Sequence, residues 1–310
     1  MGEYLLEVKG LSVSFCQYEK GWKRSRIEVI RDLTVSVRTG EMVAVVGASG
    51  SGKSLLAHGI MGILPYNASV SGEIRYQGEI LTEKKIRQLR GKEIVLVPQS
   101  VSYLDPLMKV GKQVENGKKG RTGQCREVLG RYGLGPETEQ LYPFQLSGGM
   151  TRRVLISTAV IEKPKLVIAD EPTPGLHLEA ARRVLGHFRE MADEGAGVLL
   201  ITHDLELALQ TADRVVVLYG GMTVEETDRE AFRQEETLFH PYSRALYRAM
   251  PEHGFSFVPG SQPYVKEMPE GCPYQTRCRE VKESCRKFVP LRKTERGSVR
   301  CVLWGGEESG

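Results

Sequence analysis

The fold of this chain is decided by the stretch Gly47-Ala48-Ser49-Gly50-Ser51-Gly52-Lys53-Ser54. It matches the pattern G-x-x-x-x-G-K-[ST]. It follows an apolar run at residues 42–46, which predicts a buried strand, and precedes residues 55–64, which predict a helix ending before Pro65. A strand that turns directly into a helix leaves backbone N–H groups unpaired at the helix start, and these form an anion site. Lys53 is placed to reach the β- and γ-phosphates of a nucleotide, and the Ser54 hydroxyl is placed to ligate Mg²⁺.

Length and charge narrow the class of protein. With 310 residues, of which 40% are hydrophobic, the chain suffices for one large α/β domain and a small appendage. The 43 Lys and Arg against 39 Asp and Glu give a net charge of only +4, which provides no case for nucleic-acid binding. The N-terminus lacks a signal-peptide pattern, and no apolar run approaches the roughly 18 residues of a membrane span, so we expect a cytosolic chain.

Hydrophobic periodicity outside the loop predicts an α/β fold with two kinds of sheet. Residues 4–40 alternate between apolar and polar side chains, which predicts an antiparallel layer beside the loop strand. From residue 147 onward, strand patterns alternate with helical ones, and this rhythm predicts a mainly parallel sheet. The irregular region between them, rich in Gly, Lys and Arg, predicts a helical subdomain at about residues 100–160.

Further motifs follow the loop along the chain in the order Gln99, Ser147-Gly148-Gly149, Asp170-Glu171 and His203. Gly148 and Gly149 begin a predicted helix. Because the N–H groups at a helix start can bind an anion, we predict a second anion site there. Asp170 suits a Mg²⁺ site shared with Ser54, and Glu171 is placed to polarise a water molecule. Gln99 and His203 end strands, so we expect them beside the γ-phosphate at the carboxyl edge of the sheet.

Through these motifs and their order, residues 5–235 resemble the ATPase subunits of ABC transporters. The resemblance implies a P-loop NTPase fold with a RecA-like core, an antiparallel β layer and a helical subdomain. It also implies a head-to-tail pair of chains, in which Ser147, Gly148 and Gly149 of one chain contact the ATP bound by the phosphate loop of the other. In this family likeness Glu171 is the general base, His203 holds the γ-phosphate, and Gln99 senses the metal.

The adenine ring is expected to stack on an aromatic side chain near the end of the first strand pair. By the same resemblance Phe15 matches that position best, and Tyr18 and Trp22 stay open because the following loop is long. An aromatic residue on an alternating strand is, however, most often part of the core. Phe15 is therefore predicted to bind adenine, with a core role as the alternative.

One short segment departs from the family pattern. After the two carboxylates the family usually reads Ser/Thr-Ala-Leu-Asp, whereas this chain reads Pro174-Gly175-Leu176-His177. In the family the aspartate crosses the interface between the two chains and helps to set the partner's phosphate loop. Either His177 weakens hydrolysis at the partner's site, or the loop backbone suffices and His177 is a tolerated variation.

The C-terminal residues resemble the tails of peptide and nickel importer ATPases, and we predict a domain boundary between residues 1–239 and 240–310. The likeness rests on residues 240–246, 258–260 and 271–274, and on residues 104–106 and Met150 in the first domain. It implies import of oligopeptides, dipeptides, nickel, nickel complexes or metallophores. The implied partners are a second, different ATPase, two transmembrane permease subunits and an extracytoplasmic binding protein, with this chain peripheral on the cytoplasmic side of the membrane.

Four cysteines gather in this predicted small, Cys-rich tail domain: Cys272, Cys278, Cys285 and Cys301. Four thiolates are enough to ligate a metal centre, but their spacings match neither the tight C-x2-C knuckles of structural zinc nor the ferredoxin runs. Spacing alone therefore does not choose between the centres. The resemblance implies a [4Fe–4S] cluster, zinc is the alternative, and free thiols in a packed tail remain the third reading.

These observations predict ATP hydrolysis coupled to import. A soluble ABC ATPase that does not transport is the alternative, yet such proteins usually carry two cassettes or a long coiled-coil insertion. A catalytically inactive structural partner is disfavoured by the intact Lys53, Asp170 and Glu171. The choice of transported substrate does not follow from this chain, because the binding protein and the membrane subunits make it.

Overall fold

A computed structural model of the chain describes residues 4–18, 24–118, 120–256 and 259–304. Trp22, an adenine candidate, and Val258, part of the tail pattern, lie outside these residues. The strands are β1 (Tyr4–Tyr18), β2 (Arg24–Arg38), β3 (Met42–Gly47), β4 (Ala68–Tyr76), β5 (Glu79–Ile80), β6 (Ile94–Val97), β7 (Leu166–Asp170), β8 (Gly197–Thr202), β9 (Arg214–Tyr219), β10 (Met222–Asp228), β11 (Arg292–Lys293) and β12 (Ser298–Val299). The helices are α1 (Lys53–Met61), α2 (Glu83–Leu89), α3 (Val110–Val114), α4 (Thr122–Arg131), α5 (Gly148–Val160), α6 (Leu178–Asp193), α7 (Leu205–Thr211), α8 (Arg229–Phe232) and α9 (Pro241–Arg248), with short 3₁₀ turns between them.

The antiparallel layer predicted at the N-terminus is confirmed. It is a four-stranded sheet in the order β2-β1-β4-β5, and its neighbouring strands pair antiparallel. The alternating side chains of β1 and β2 bury one face, as the period-2 pattern requires. This layer packs its apolar face on the sheet that carries the phosphate loop, where Leu11, Ile30 and Leu33 are fully buried.

The central sheet has eight strands in the order β11-β12-β10-β9-β3-β8-β7-β6. Strands β9, β3, β8, β7 and β6 are parallel, in agreement with the alternating strand and helix patterns. The strands β3, β7 and β8 are buried along their whole length, which explains why they read as continuous apolar runs. The carboxyl ends of β3, β6, β7 and β8 therefore meet at one edge of the sheet.

Helices complete the core on both faces of the sheet, with α6 in one apolar cluster and α1 in the cluster under the antiparallel layer. The helix α6 buries the stripe Ala181, Val184, Leu185 and Phe188, which the sequence pattern predicted. The helix α1 is shorter than predicted, because Gly62 takes the left-handed conformation (φ 60°) and caps the helix before Pro65. No helix in the described ranges is long and apolar enough to cross a membrane.

The region predicted as a helical subdomain contains α3, α4 and α5. Buried residues of these helices form a separate apolar cluster with Leu104 and Leu134, and α5 also packs against β6. The cluster is distinct from the two layers around the central sheet. The helices thus sit on the sheet through α5, whose first residues belong to the predicted second anion site.

The C-terminal tail adds strands to the central sheet, a feature that the sequence patterns did not predict. Strand β12 pairs antiparallel with β10, and β11 pairs with β12. Arg300, only 1% exposed, donates to the carbonyl oxygens of Thr223, Val289 and Asp32 at 2.9, 2.8 and 3.1 Å. Tail and ATPase core are therefore packed together, and the domain boundary at residues 239/240 stays a prediction.

Candidate nucleotide site

The phosphate loop joins β3 to α1 as predicted, and its lysine lies inside it. The Lys53 Nζ donates to the carbonyl oxygens of Gly47 and Ala48 at 2.9 and 3.0 Å, and the residue is 8% exposed. Burial lowers the pKa of Lys53, while the charges of Glu171 and Asp170 oppose that change. The two carboxylates thus help to keep the lysine charged, and its cation is available to a phosphate.

Two positions of the loop accept only glycine. A Cβ at Gly47 would overlap the carbonyl oxygen of Leu218 on the neighbouring strand β9. Gly52 has a φ of 90°, and a Cβ there would press on the Ile30 side chain. The glycines at both ends therefore let the backbone turn tightly between strand and helix, which aims the first N–H groups of α1 into the loop.

Buried polar atoms without partners lie beside the lysine. Asp170, 3% exposed at the end of β7, has one carboxylate oxygen with no hydrogen-bond partner among the described residues, and the buried Ser51 hydroxyl has none there either. Burial raises the pKa of Asp170, and the Ser54 hydroxyl opposes this by hydrogen bonding. Mg²⁺ and phosphates would satisfy these unpaired buried oxygens beside Lys53, so the residues fit Mg²⁺–ATP. Ser54 and Asp170 are the residues that would hold the metal.

Glu171 and His203 form a pair at the same sheet edge. The His203 Nδ1 lies 2.8 Å from the Glu171 Oε2; the glutamate side chain is 9% exposed and the histidine side chain 66%. Glu171 has a φ of 48°, a strained value for a residue with a side chain, while its backbone N–H donates to Ile201. A carboxylate held in this way can accept a proton from water, and the exposed imidazole can contact a ligand above it.

The other strand-end residue, Gln99, is exposed just after β6. Beside it lies a residue that the sequence analysis missed, Arg152 of α5, which is 7% exposed and donates to the Pro98 carbonyl at 3.0 Å. Burial lowers the pKa of Arg152, and the charges of Asp170 and Glu171 oppose this. The sequence signal that could have revealed Arg152 is its spacing from Ile156, which places both residues on the buried face of α5.

The second predicted anion site starts helix α5 on the surface. Ser147 is the N-cap of α5, with its hydroxyl accepting from the Met150 N–H at 3.3 Å, and both Ser147 and Gly148 are exposed. A Cβ at Gly148 would meet nothing within 4 Å, whereas Gly149 lies beside the backbone of Gly175. The glycine-containing helix start therefore faces outward.

The divergent residue His177 is the N-cap of α6. Its Nδ1 accepts the Ala180 N–H at 3.4 Å, and the residue is exposed. An aspartate at this position would cap the helix in the same manner. Histidine at this position therefore preserves the helix cap that an aspartate would provide.

The candidate adenine residue, Phe15, is half-buried near the end of β1. It pairs with Ile27 on β2 and Ala68 on β4, and its ring packs against the apolar layer under that sheet. Tyr18 is the last residue of β1. Part of the Phe15 ring thus belongs to the core, and adenine stacking on Phe15 remains a prediction.

The four tail cysteines line one small cavity, together with His240. Cys272, Cys285 and Cys301 are buried and Cys278 is partly exposed, and burial raises the pKa of Cys272 to about 12. The Cys272 Sγ lies 3.9 Å from the His240 Nε2. The sequence predicted the four thiols but missed His240, whose only signal was its place at the start of the tail pattern.

The cavity does not have the tight ligand grouping of a single metal ion. Among the residues that the structure describes, no three His, Cys, Asp or Glu side chains are grouped so that they could hold one. A tetrahedral zinc site needs every sulfur at about 2.3 Å from the ion, which brings the sulfurs close together. The cavity therefore gathers four thiols and an imidazole, but among the described residues these side chains do not have the spacing of a single-ion site.

Comparison with known proteins agrees with the geometry. The family model described as ABC transporter matches residues 30–174, and that described as oligopeptide/dipeptide transporter, C-terminal region, matches residues 224–285. A dimeric ATP-binding cassette determined in a post-hydrolysis state with ADP and phosphate superposes with a TM-score of 0.63 at 25% identity, over 72% of this chain and 98% of the cassette. The P-loop NTPase fold of an ABC ATPase is thus confirmed.

Curated relatives extend the match over the whole chain. The chain is 33% identical to the oligopeptide transport ATP-binding protein OppD of Escherichia coli (strain K12), over 98% of this chain and 94% of the relative. It is 36% identical to the dipeptide transport ATP-binding protein DppD of Haemophilus influenzae, over 92% of this chain and 91% of the relative. The chain therefore belongs to the ABC transporter family, as an ATP-binding subunit of its oligopeptide and dipeptide transporter group.

Proposed function

We propose that the chain hydrolyses ATP to drive the import of peptides, peripheral to the cytoplasmic face of the membrane. The observation that carries the proposal is a complete phosphate-binding site followed, in the same chain, by residues 224–285 that match the C-terminal region of peptide transporters. By analogy with OppD and DppD, named for oligopeptide and dipeptide transport, its partners are two transmembrane permease subunits and an extracytoplasmic binding protein.

Within this proposal each site residue has one task. Lys53 and the loop N–H groups bind the phosphates, while Ser54 and Asp170 hold Mg²⁺, which neutralises charge on the phosphates when it is bound. Glu171 accepts the proton of the attacking water, and its hydrogen bond with His203 keeps the carboxylate oriented. Gln99, exposed beside β6, reports the state of the metal to the membrane subunits.

The ATP site is proposed to be completed by a second, different ATPase. The support is the outward-facing start of α5, where Ser147 and Gly148 are exposed. A helix N-terminus of this kind stabilises negative charge, and the γ-phosphate of a partner's ATP is a ligand of the right chemistry. The partner's own glycine-containing helix start would serve the ATP on Lys53 in return.

Import is tested directly in proteoliposomes that contain this chain, its partner ATPase and the permease pair, with the binding protein outside. We expect ATP inside the vesicles to drive uptake of a labelled oligopeptide or dipeptide, and Lys53→Ala to abolish it. The nickel complexes and metallophores that the tail resemblance also implies are tested in the same vesicles with ⁶³Ni. ATP-driven nickel uptake without peptide uptake would overturn the peptide assignment, and uptake of neither would favour the non-transport ATPase.

We further propose that the four tail cysteines bind a [4Fe–4S] cluster. Their thiols surround one cavity, and they are not grouped around a single point as zinc would require. A cluster of several irons distributes its four cysteine ligands over a larger volume. Burial of three of the four cysteines would also keep such a centre away from solvent.

The cluster is tested on protein purified without oxygen. We expect a brown protein that contains iron and sulfide, with both lost on Cys272→Ser or Cys301→Ser. The matched control is Cys16→Ser, since Cys16 is exposed on β1, outside the cavity. If the protein contains zinc and no iron, the centre is a zinc site and not a cluster. If it contains neither metal, the four cysteines are free thiols.

A further inference from the structure

The C-terminal tail contacts the phosphate loop itself. The Gln262 side chain bridges two backbone groups: its Nε2 donates to the Gly50 carbonyl in the loop at 3.4 Å, and its Oε1 accepts the Gly220 N–H at 3.3 Å. Gly220 lies in the turn between β9 and β10, next to the strand that Gly47 abuts. One amide therefore ties the outer side of the loop to the central sheet.

Gly50 is exposed and carries no side chain to restrict its backbone. Its φ is 77°, a conformation that favours glycine, and a Cβ built there would meet no atom within 4 Å. A glycine in open space has the largest conformational entropy to lose when a ligand orders it. The Gln262 bridge removes part of that freedom before any phosphate binds.

A second tail residue, Tyr242 of α9, packs against the strand that borders the loop. It is 4% exposed, and its ring packs edge-on against Tyr219, the last residue of β9, with centroids 4.6 Å apart. Gly47 lies against the same strand, close to the carbonyl of Leu218. The tail is therefore anchored on β9 next to the phosphate loop.

The tail segment on both sides of Cys272 packs onto the same turn. A Cβ at Gly220 would collide with the side chains of Pro273 and Met268, so this part of the tail touches the turn backbone closely. The Arg31 side chain on β2 donates to the Pro269 carbonyl at 3.0 Å. The tail residues that reach the loop are thus held on both the antiparallel layer and the central sheet.

We propose that Gln262 is a positioning residue for ATP, which holds the phosphate loop in its binding conformation from the side of the tail. It acts by fixing the carbonyl of Gly50, so that the loop N–H groups converge before ATP arrives. Pre-ordering a binding loop raises affinity by lowering the entropy lost on binding. The C-terminal tail is then a working part of the ATP site.

The main test is Gln262→Glu in the full chain. The carboxylate keeps the length of the side chain and can still accept from Gly220, but it replaces the donor to Gly50 by an acceptor. We expect the Kd for Mg²⁺–ATP, measured by isothermal titration calorimetry, to rise about fivefold to tenfold, as the loss of one hydrogen bond implies. In the assembled transporter the KM should rise by a similar factor while kcat stays unchanged.

The matched control is Gln275→Glu, also in the tail. Its amide donates to the Cys272 carbonyl at 3.1 Å, away from the loop. If both variants weaken ATP binding equally, general damage to the tail explains the effect and the proposal fails. An unchanged Kd in Gln262→Glu overturns it as well.

Discussion

The two anion-binding helix starts of this chain differ in how far the chain itself completes them. The loop before α1 is closed by its own residues, since Lys53 binds two loop carbonyls and Asp170 lies buried beside it. The start of α5 is open, because Ser147 and Gly148 are exposed and space beside Gly148 is empty. The difference separates a phosphate loop that the chain closes with its own residues from an open helix start, which under the proposed function serves the ATP of a partner chain.

The largest effect is expected at the finished site, from Glu171→Gln. Loss of the proton acceptor should reduce ATP turnover by about 10²- to 10⁴-fold, with ATP binding retained because Lys53, Ser54 and Asp170 are unchanged. Turnover in the assembled transporter and ATP affinity of the chain measure the two effects separately. The control is Glu179→Gln, an exposed glutamate in the first turn of α6. Wild-type turnover in Glu171→Gln would show that another group accepts the proton.

Lys53→Ala should instead affect binding. It removes the buried cation that donates to the loop carbonyls and would donate to the phosphates. Because a charge-assisted hydrogen bond is lost, the Kd for ATP should rise about 10- to 100-fold. Calorimetry on the purified chain gives this number. An unchanged Kd would mean that the loop N–H groups alone bind the phosphates.

The open helix start is tested by Gly148→Ala. Within the chain the new methyl group meets no atom and suits a helix, so folding stability and ATP affinity should stay unchanged. In the paired transporter the methyl group would enter the partner's ATP site, and turnover should fall about tenfold or more. Equal turnover would indicate that α5 does not contact a partner's nucleotide.

These comparisons also show what sequence can predict. The phosphate loop is contiguous, so its glycines, lysine and flanking strand and helix could be predicted together, and the strand-end residues Gln99, Asp170 and His203 followed from the alternating pattern. Arg152 and Gln262 could not be predicted, because their contacts join residues 54 and 212 positions apart. Such contacts depend on how layers pack, which no local periodicity encodes.

The tail is the clearest case of that limit. The four cysteines were visible as residues, but β11 and β12 have two residues each, too short for any alternation to be recognised. Their addition to the central sheet, and the buried Arg300 that fixes it, arise only when the chain returns to β10. The sequence therefore identified the cysteines of the tail but not the place of the tail in the fold.

The smallest effect is expected from His177→Asp. Both side chains cap α6, so the free energy of unfolding should change by no more than about 0.5 kcal/mol. If His177 weakens the partner's site, the aspartate should raise total ATP turnover of the paired ATPases about twofold. An unchanged rate would mean that the histidine is a tolerated variation.

The division of the ATP site between chains is tested most directly by the ATP turnover of the purified chain, measured over a wide range of protein concentrations and again with its partner ATPase. Because the start of α5 cannot serve a phosphate loop while it faces solvent, we expect ATP to bind but turnover to stay low for the chain alone. Turnover per chain should rise steeply when the partner is added. Fast turnover by the isolated chain, independent of its concentration, would contradict a site shared between two chains.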